Sequence, residues 1–209
     1  MTDEQSRSRR AAIAAFACAA LNAGAALGML LFLRPGLMPS PHRLDFIREY
    51  ATPWRAAWGL WIVTAVSLAI FYIALQRATA GPRAAVWIAI AGLVPDIGAE
   101  LIYIAVYPTL ATADLGRFDR LCGLLSATLG NGAYTVVWHL LARRGPFPRL
   151  AIPGIAAGYG MALAGIFYHP AALAVTAAVA IAAFTLWATL AGCFFWKKAT
   201  AAATMLPHA

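Results

Sequence analysis

Charged side chains are scarce in this sequence of 209 residues. Aspartate, glutamate, lysine and arginine make up 11% of the chain, whereas a soluble globular domain carries about a quarter. Only 8 of these residues are acidic, against 16 basic ones, and 62% of the residues are hydrophobic. This composition excludes a disordered chain, a nucleic-acid-binding domain and a cytosolic enzyme with a membrane tail.

Residues that bind metals or form disulfides are also few. The three cysteines, Cys18, Cys122 and Cys193, form no C-x-x-C pair, and the four histidines lack the H-x-x-x-H spacing of a zinc site on a helix. The motifs of serine hydrolases, zinc proteases and prenyl transferases are missing as well. We therefore expect no disulfide framework, no metal site and no cofactor.

Six long stretches without charge dominate what is present. About 20 apolar residues suffice for a helix to cross the hydrocarbon core of a bilayer. Because backbone polar groups in lipid must be satisfied within the segment, each stretch is expected to be a transmembrane helix. The predicted fold class is all-α, a polytopic bundle of six transmembrane helices. The predicted spans are residues 11–33, 56–75, 84–107, 121–142, 150–168 and 171–196.

The basic residues predict how this bundle is oriented. Ten of the 16 lysines and arginines fall on the side that carries both termini in the six-span arrangement, and six fall on the other. Since an excess of lysine and arginine marks the cytoplasmic face, we expect a multi-pass protein of the inner (cell) membrane with both termini cytoplasmic. The domains are then a cytoplasmic tail at 1–10, one six-helix transmembrane domain at 11–196 and a cytoplasmic tail at 197–209. The first run is too long for a typical signal peptide, which favours a retained span.

The loop after the first span is the only long one. Ser40 followed by Pro41 is a typical helix start. Leu44 and Ile47 share one face of the segment that follows, and Pro53 ends it. We expect a short outer amphipathic helix on the membrane surface. It serves as a connector or as a lid over an outward-facing cavity, and the connector is the simpler interpretation.

Two pairs of glycines, each four residues apart, lie within predicted spans. Gly24 and Gly28 are in the first, and Gly154 and Gly158 are in the fifth. Small residues at this spacing let helix backbones approach closely in a membrane. We expect both pairs to pack within the bundle and not to form a dedicated dimer face.

Two acidic residues lie inside a predicted span, whereas the other six are in tails or loops. Asp96 and Glu100 are four residues apart and project from the same helix face. Inserting a carboxylate near the bilayer centre costs about 3 kcal/mol, and such residues usually face a cavity or a partner. We expect the two carboxyl groups to share a proton near neutral pH. Pro95 is expected to kink the helix beside them.

Depth in the membrane identifies the expected neighbours of this pair. Asn131 and Asn22 lie at about the depth of Asp96, while Glu100 lies nearer the outside, close to Ser126 or Thr64. Aromatic residues on the same helices supply candidate walls of a cavity. The predicted ligand-binding residues are Asp96, Glu100, Asn131, Tyr103, Tyr134, Trp138 and Asn22.

The sequence leaves three functions open. An acidic, aromatic-lined cavity suits the binding or translocation of a small cationic or lipophilic ligand, with carboxylate protonation coupled to the steps. A non-catalytic subunit of a larger membrane complex, or a homo-oligomer, would pack its polar helix against another chain. A membrane enzyme would use Asp96 and Glu100 as acid and base on a lipophilic substrate. The first is favoured over hydrogen-bonded structural carboxyls, and the expected partners are the lipid bilayer and the ligand, with no nucleic acid.

Overall fold

The computed structural model describes residues 2–37, 40 and 42–204, and these are helical along most of their length, with no strand among them. A π-helix, Met29–Leu33, joins α1 to α2, and a second one, Gly123–Gly130, joins α6 to α7 and is called the π segment below. Two 3-10 turns, Tyr107–Thr109 and Thr112–Asp114, follow α5. The α-helices are α1 (Asp3–Gly28), α2 (Arg34–Leu37), α3 (Arg43–Glu49), α4 (Ala51–Thr79), α5 (Arg83–Ala105), α6 (Leu115–Cys122), α7 (Asn131–Ala142), α8 (Pro148–Ile166) and α9 (Pro170–Thr204).

Five helices in the described part of the chain are long and apolar enough to cross a membrane, which is compatible with a multi-pass membrane protein. They are Asp3–Leu31, Ala51–Thr79, Arg83–Thr109, Pro148–Ile166 and Pro170–Ala201. The predicted span at 121–142 is not among them. It is divided among the end of α6, the π segment and α7, and the polar side chains of Asn131 and His139 make it less apolar.

α1 and α3 begin at residues other than those that the sequence predicts. α1 starts at Asp3, well before residue 11, because Thr2 and Gln5 form a capping box, with reciprocal hydrogen bonds of 3.2 and 2.7 Å. The helix predicted in the first loop is α3. It begins at Arg43, after His42, and Ser40 is not its N-cap, while Pro41 lies outside the described residues.

Contacts between helix ends and between turns distinguish the two ends of the bundle. At the end where α1 begins and α9 ends, Lys198 Nζ lies 2.9 Å from Glu4 Oε1. At the same end the Arg144 guanidinium donates a hydrogen bond of 3.0 Å to the Ala80 carbonyl. We call this the terminal end. The opposite end, which holds α3, the 3-10 turns and the turn between α8 and α9, is the α3 end.

A buried ion pair fastens α3 to the rest of the α3 end. Arg43 is 6% exposed and donates from Nη1 to both carboxylate oxygens of Asp119, at 2.9 and 2.7 Å. Asp119 also accepts hydrogen bonds from the hydroxyls of Tyr107, at 2.6 Å, and Tyr168, at 3.1 Å. Burial lowers the pKa of Arg43, but the Asp119 carboxylate outweighs this and the pKa lies above its ordinary value, so the arginine stays charged. The four side chains join α3, α6 and the segments that follow α5 and α8.

Two hydrophobic clusters fill the interior, one towards each end. The terminal cluster is built by α1, α4, α5, α7, α8 and α9 and includes large buried rings such as Phe71, Tyr72 and Trp187. The α3 cluster includes Leu44 and Ile47 of α3 and Trp54 of α4. Ala89 of α5 belongs to the first cluster and Ala99 to the second, so residues 90–98 of α5 cross the boundary between them.

The two glycine pairs have different surroundings. The prediction for Gly154 and Gly158 is confirmed, because side chains there would collide with Trp138 and Thr135 of α7. The prediction for Gly24 and Gly28 is wrong within this chain, since nothing lies within 4 Å of an added Cβ at either position. Small residues at this spacing allow a neighbouring helix to pack closely, but they do not show whether a neighbouring helix is present.

Candidate functional site

The candidate site lies where α5 passes the π segment, at the boundary between the two hydrophobic clusters. A Cβ added to Gly130 would lie 2.7 Å from the Cβ of Asp96, and one added to Gly92 would lie 2.9 Å from the Cβ of Ala133. Both positions therefore need glycine for the helices to come this close. The consequence is that Asp96 is held directly against the backbone of the π segment.

Asp96 is satisfied by a short hydrogen-bond network. Its carboxylate Oδ1 accepts a bond of 2.7 Å from the Ser126 hydroxyl, and the residue is 4% exposed. The main-chain N–H of Asn131 donates to the Ser126 carbonyl in the i→i−5 pattern of a π-helix, and the Asn131 side chain donates to the same oxygen at 3.0 Å. Asn131 thus fixes the π segment in the shape that points Ser126 at Asp96. Single π-helical turns occur frequently at functional sites.

Glu100, one helical turn further along α5, is not satisfied in this way. The residue is 3% exposed, and its Oε2 atom has no hydrogen-bond partner among the described residues. A buried acceptor without a donor costs about 1–3 kcal/mol. Asp96 lies one helical turn away on the same face of α5, so the two carboxyl groups are close enough to interact electrostatically.

Aromatic residues of α4, α5 and α7 lie near the level of Glu100 in the bundle. The buried Tyr134 hydroxyl interacts electrostatically with both acids, but no described residue satisfies it with a hydrogen bond of good geometry. The Tyr103 ring stacks on Trp58 with centroids 3.9 Å apart and an interplanar angle of 9°. Because Trp58 faces Tyr103 across antiparallel helices, Trp61 lies at the level of Glu100. The indole N–H groups of Trp58 and Trp61 are buried and unpartnered in the described part of the chain.

For two of the residues predicted for the site, the contacts that the structure shows are with other groups. The Asn22 amide donates a hydrogen bond of 2.9 Å to the Cys18 carbonyl on its own helix. Trp138 packs in the terminal cluster, with ring centroids 5.1 Å from Phe184 and 5.7 Å from Trp187. Depth along the membrane placed these residues at a plausible level but carried no information on which way each helix face points.

Three further residues lie at or near the acidic pair in positions that the sequence does not predict. Ser126, expected beside Glu100, hydrogen bonds to Asp96. Gly130 and Trp61 were not predicted. A signal for each exists: Gly130 directly precedes Asn131, and Trp61 continues the spacing of four and three that begins with Trp54 and Trp58.

Two cavities on the surface of the described part of the chain are lined by neither Asp96 nor Glu100. One, of about 350 Å³, lies at the α3 end beside Arg120 and Tyr168. The other, of about 430 Å³, lies at the terminal end beside Arg143 and Arg149. The cavity predicted beside the acidic pair is neither of these two.

No group of three or more histidine, cysteine, aspartate or glutamate side chains that could hold a metal ion occurs among the described residues. Comparison with protein-family models, curated proteins and solved structures gave no match. The proposals below therefore depend on the residues themselves.

Proposed function

We propose that this chain is an integral protein of the cell membrane whose Asp96–Glu100 pair binds and releases a small cation, with the proton as the simplest case. One observation carries the proposal: Glu100 Oε2 is buried and has no hydrogen-bond partner among the described residues. Ser126 donates a hydrogen bond to the Asp96 carboxylate, so a structural role is enough to explain Asp96. It does not explain Glu100. Polar contacts between membrane helices stabilise a bundle by only about 0.6 kcal/mol on average. This gain is smaller than the free energy needed to insert a second acid into the membrane.

The close packing around the pair supports a small ion over a large ligand. Gly130 lies directly against Asp96, and neither acid lines either of the two cavities described above. A proton needs no extra space and adds to a carboxylate that is already desolvated. A larger cationic or lipophilic ligand would enter only after α5 and the π segment had separated, with protonation of the carboxylates coupled to that movement.

The α3 helix supports the proposal as a lid over the site. Leu44 and Ile47 are buried in the same cluster as Ala99, the residue that precedes Glu100 on α5. The Arg43–Asp119 ion pair fastens α3 in this position. A ligand that reaches Glu100 from the α3 end would therefore require the ion pair to break and α3 to move, and in this proposal α3 acts as the lid.

We also propose that residues 121–142, from the end of α6 to the end of α7, form a sixth span. α6, the π segment and α7 follow one another without a break. At about 1.5 Å per residue they are long enough to cross the hydrocarbon core. With six spans both termini lie on the side rich in lysine and arginine, which is the cytoplasmic side. The α3 end then faces outwards.

Labelling of cysteines from outside the cell tests this topology. Cys18 and Cys122 are buried and Cys193 is exposed, so Cys193 is the native cysteine that has to be replaced. Each labelling variant is therefore made in a protein that carries Cys193→Ala. We expect Thr112→Cys to react with a membrane-impermeant maleimide in intact cells, and Arg144→Cys to react only after permeabilisation. Reaction of both positions from the same side would contradict a sixth span between them.

Replacement of Glu100 tests the function. Purified protein in liposomes is given a membrane potential, and proton uptake is followed with an internal pH dye, with sodium, potassium and an organic cation added in separate runs. We expect Glu100→Gln to reduce the flux at least tenfold because it removes the charge that receives the ion and keeps the shape of the side chain. Asp96→Asn is expected to reduce it similarly, since the two carboxyl groups act as a pair.

The matched control is Glu49→Gln, which removes an acid from the exposed surface of α3. It should leave the flux unchanged, and all three variants should unfold at temperatures close to that of the wild type. Wild-type flux in both site variants would reject the proposal. A second chain that co-purifies in stoichiometric amount after extraction in mild detergent would then support a subunit of a larger complex, for which the open face at Gly24 and Gly28 is suited.

A further inference from the structure

The larger of the two cavities is a groove between α7 and α8 at the terminal end. Its volume of about 430 Å³ lies within the range of ligand-binding sites. The walls are largely apolar and include Ile152, Ile155 and Ala156 of α8. Neither Asp96 nor Glu100 lines it, so the groove is separate from the site described above.

Two arginines stand at the open end of this groove. Arg143 ends α7 and Arg149 begins α8, and both are exposed. No described residue forms an ion pair with either of them, and no acidic residue lines the groove. Arg149 also lies in the first turn of its helix, where the helix dipole disfavours a cation. An anion bound beside the two guanidinium groups would offset part of this positive charge.

The length of the groove matches the depth of one membrane leaflet. Its lining runs along α8 from Arg149 to Tyr159, a distance of about 15 Å at the rise of an α-helix. The hydrocarbon core of a bilayer is about 30 Å thick, so this is half of it. His139 Nδ1 lies 3.1 Å from the Tyr159 hydroxyl and joins α7 to α8 at the deep end. A free phosphate ion would fill only the arginine end and leave the apolar walls uncovered.

We propose that the groove binds an anionic phospholipid, with the headgroup phosphate between Arg143 and Arg149 and one acyl chain along Ile152, Ile155 and Ala156. Guanidinium groups bind phosphate through paired hydrogen bonds, which a lysine cannot reproduce. Basic pockets between transmembrane helices recognise lipid headgroups by the same charge complementarity. The site is independent of the proposed function of the acidic pair.

Native mass spectrometry of protein that has been stripped of lipid and titrated with phosphatidylglycerol tests the proposal. We expect one tightly bound lipid per chain in the wild type and at least tenfold weaker binding in the double variant Arg143→Gln, Arg149→Gln. Arg77→Gln with Arg83→Gln is the matched control, because it removes the same charge at the same end but outside the groove. Its lipid binding should equal that of the wild type. Phosphatidylcholine, which has no net charge, should bind at least tenfold more weakly than phosphatidylglycerol.

A variant that fills the groove separates a lipid site from a surface charge effect. Ala156 is exposed, so Ala156→Trp should fold normally while it blocks the path of the acyl chain and keeps both arginines. We expect it to lose the bound lipid, with an unfolding temperature in lipid-free detergent equal to that of the wild type. Undiminished lipid binding in this variant and in the arginine double variant would overturn the proposal. Equal stabilisation by inorganic phosphate and by phosphatidylglycerol would also overturn it, since it would show a phosphate site without a lipid site.

Discussion

Asp119→Ala is expected to lower the free energy of unfolding by about 3 kcal/mol, because it leaves the buried Arg43 guanidinium without its counter-charge. Arg43 donates hydrogen bonds of 2.9 and 2.7 Å to the two oxygens of this carboxylate. Tyr107 and Tyr168 lose the acceptor of their hydroxyl groups at the same time. Removing one partner of a buried charge pair costs more than the pair itself contributes, since the remaining charge stays desolvated.

Reversible unfolding in mixed detergent micelles, followed by tryptophan fluorescence, measures this loss. Asp114→Ala is the matched control, because Asp114 is an exposed acid just before α6, the helix that carries Asp119. It should change the free energy of unfolding by less than about 0.5 kcal/mol. If Asp119→Ala were no more destabilising than Asp114→Ala, the ion pair would not hold α3 on the bundle. The role of α3 as a lid would then have no support.

Gly130→Ala is the second change for which we expect a large effect, about 2 kcal/mol of lost stability together with loss of ion flux. The new methyl group would lie 2.7 Å from the Cβ of Asp96, an atom fixed to the backbone of α5. Relief of this clash requires α5 and the π segment to move apart, and overpacking of this kind costs about 1–3 kcal/mol. The movement also takes the Ser126 hydroxyl away from the Asp96 carboxylate.

Gly98→Ala provides the control on the same helix as Asp96. Nothing lies within 4 Å of a Cβ at that position, and alanine favours a helix over glycine by up to about 1 kcal/mol. This variant should therefore be as stable as the wild type or slightly more stable, with unchanged flux. The same result for Gly130→Ala would show that α5 and the π segment are not packed as closely as described.

Much of the fold follows from the length of the apolar runs, and the exceptions have local causes. Hydropathy locates the five long helices but not their ends, which polar capping sets, as Thr2 does for α1. The interruption between α6 and α7 has no hydropathy signal. An i→i−5 bond to Ser126 stabilises it, together with a side-chain bond from Asn131 that only the folded chain forms.

The candidate site was predictable where a single helix defines it and not where several helices meet. Asp96 and Glu100 stand out in the sequence because charges are so rare in the apolar runs. Depth in the membrane is the only sequence signal for Asn131, and the same criterion includes Asn22, whose amide bonds to its own helix. The rotation of each helix about its axis decides which side chains meet, and that rotation depends on packing at glycines such as Gly130.

The two interruptions of regular helix that flank the acidic pair lie at the same height in the bundle. Pro95 has no N–H to donate within α5, and beside it the π segment replaces the tighter α-helical ladder. At this one level, two adjacent helices have fewer regular α-helical hydrogen bonds to resist bending. A change in the charge of Asp96 or Glu100 would therefore act where the backbones of both helices have the fewest hydrogen bonds to resist it.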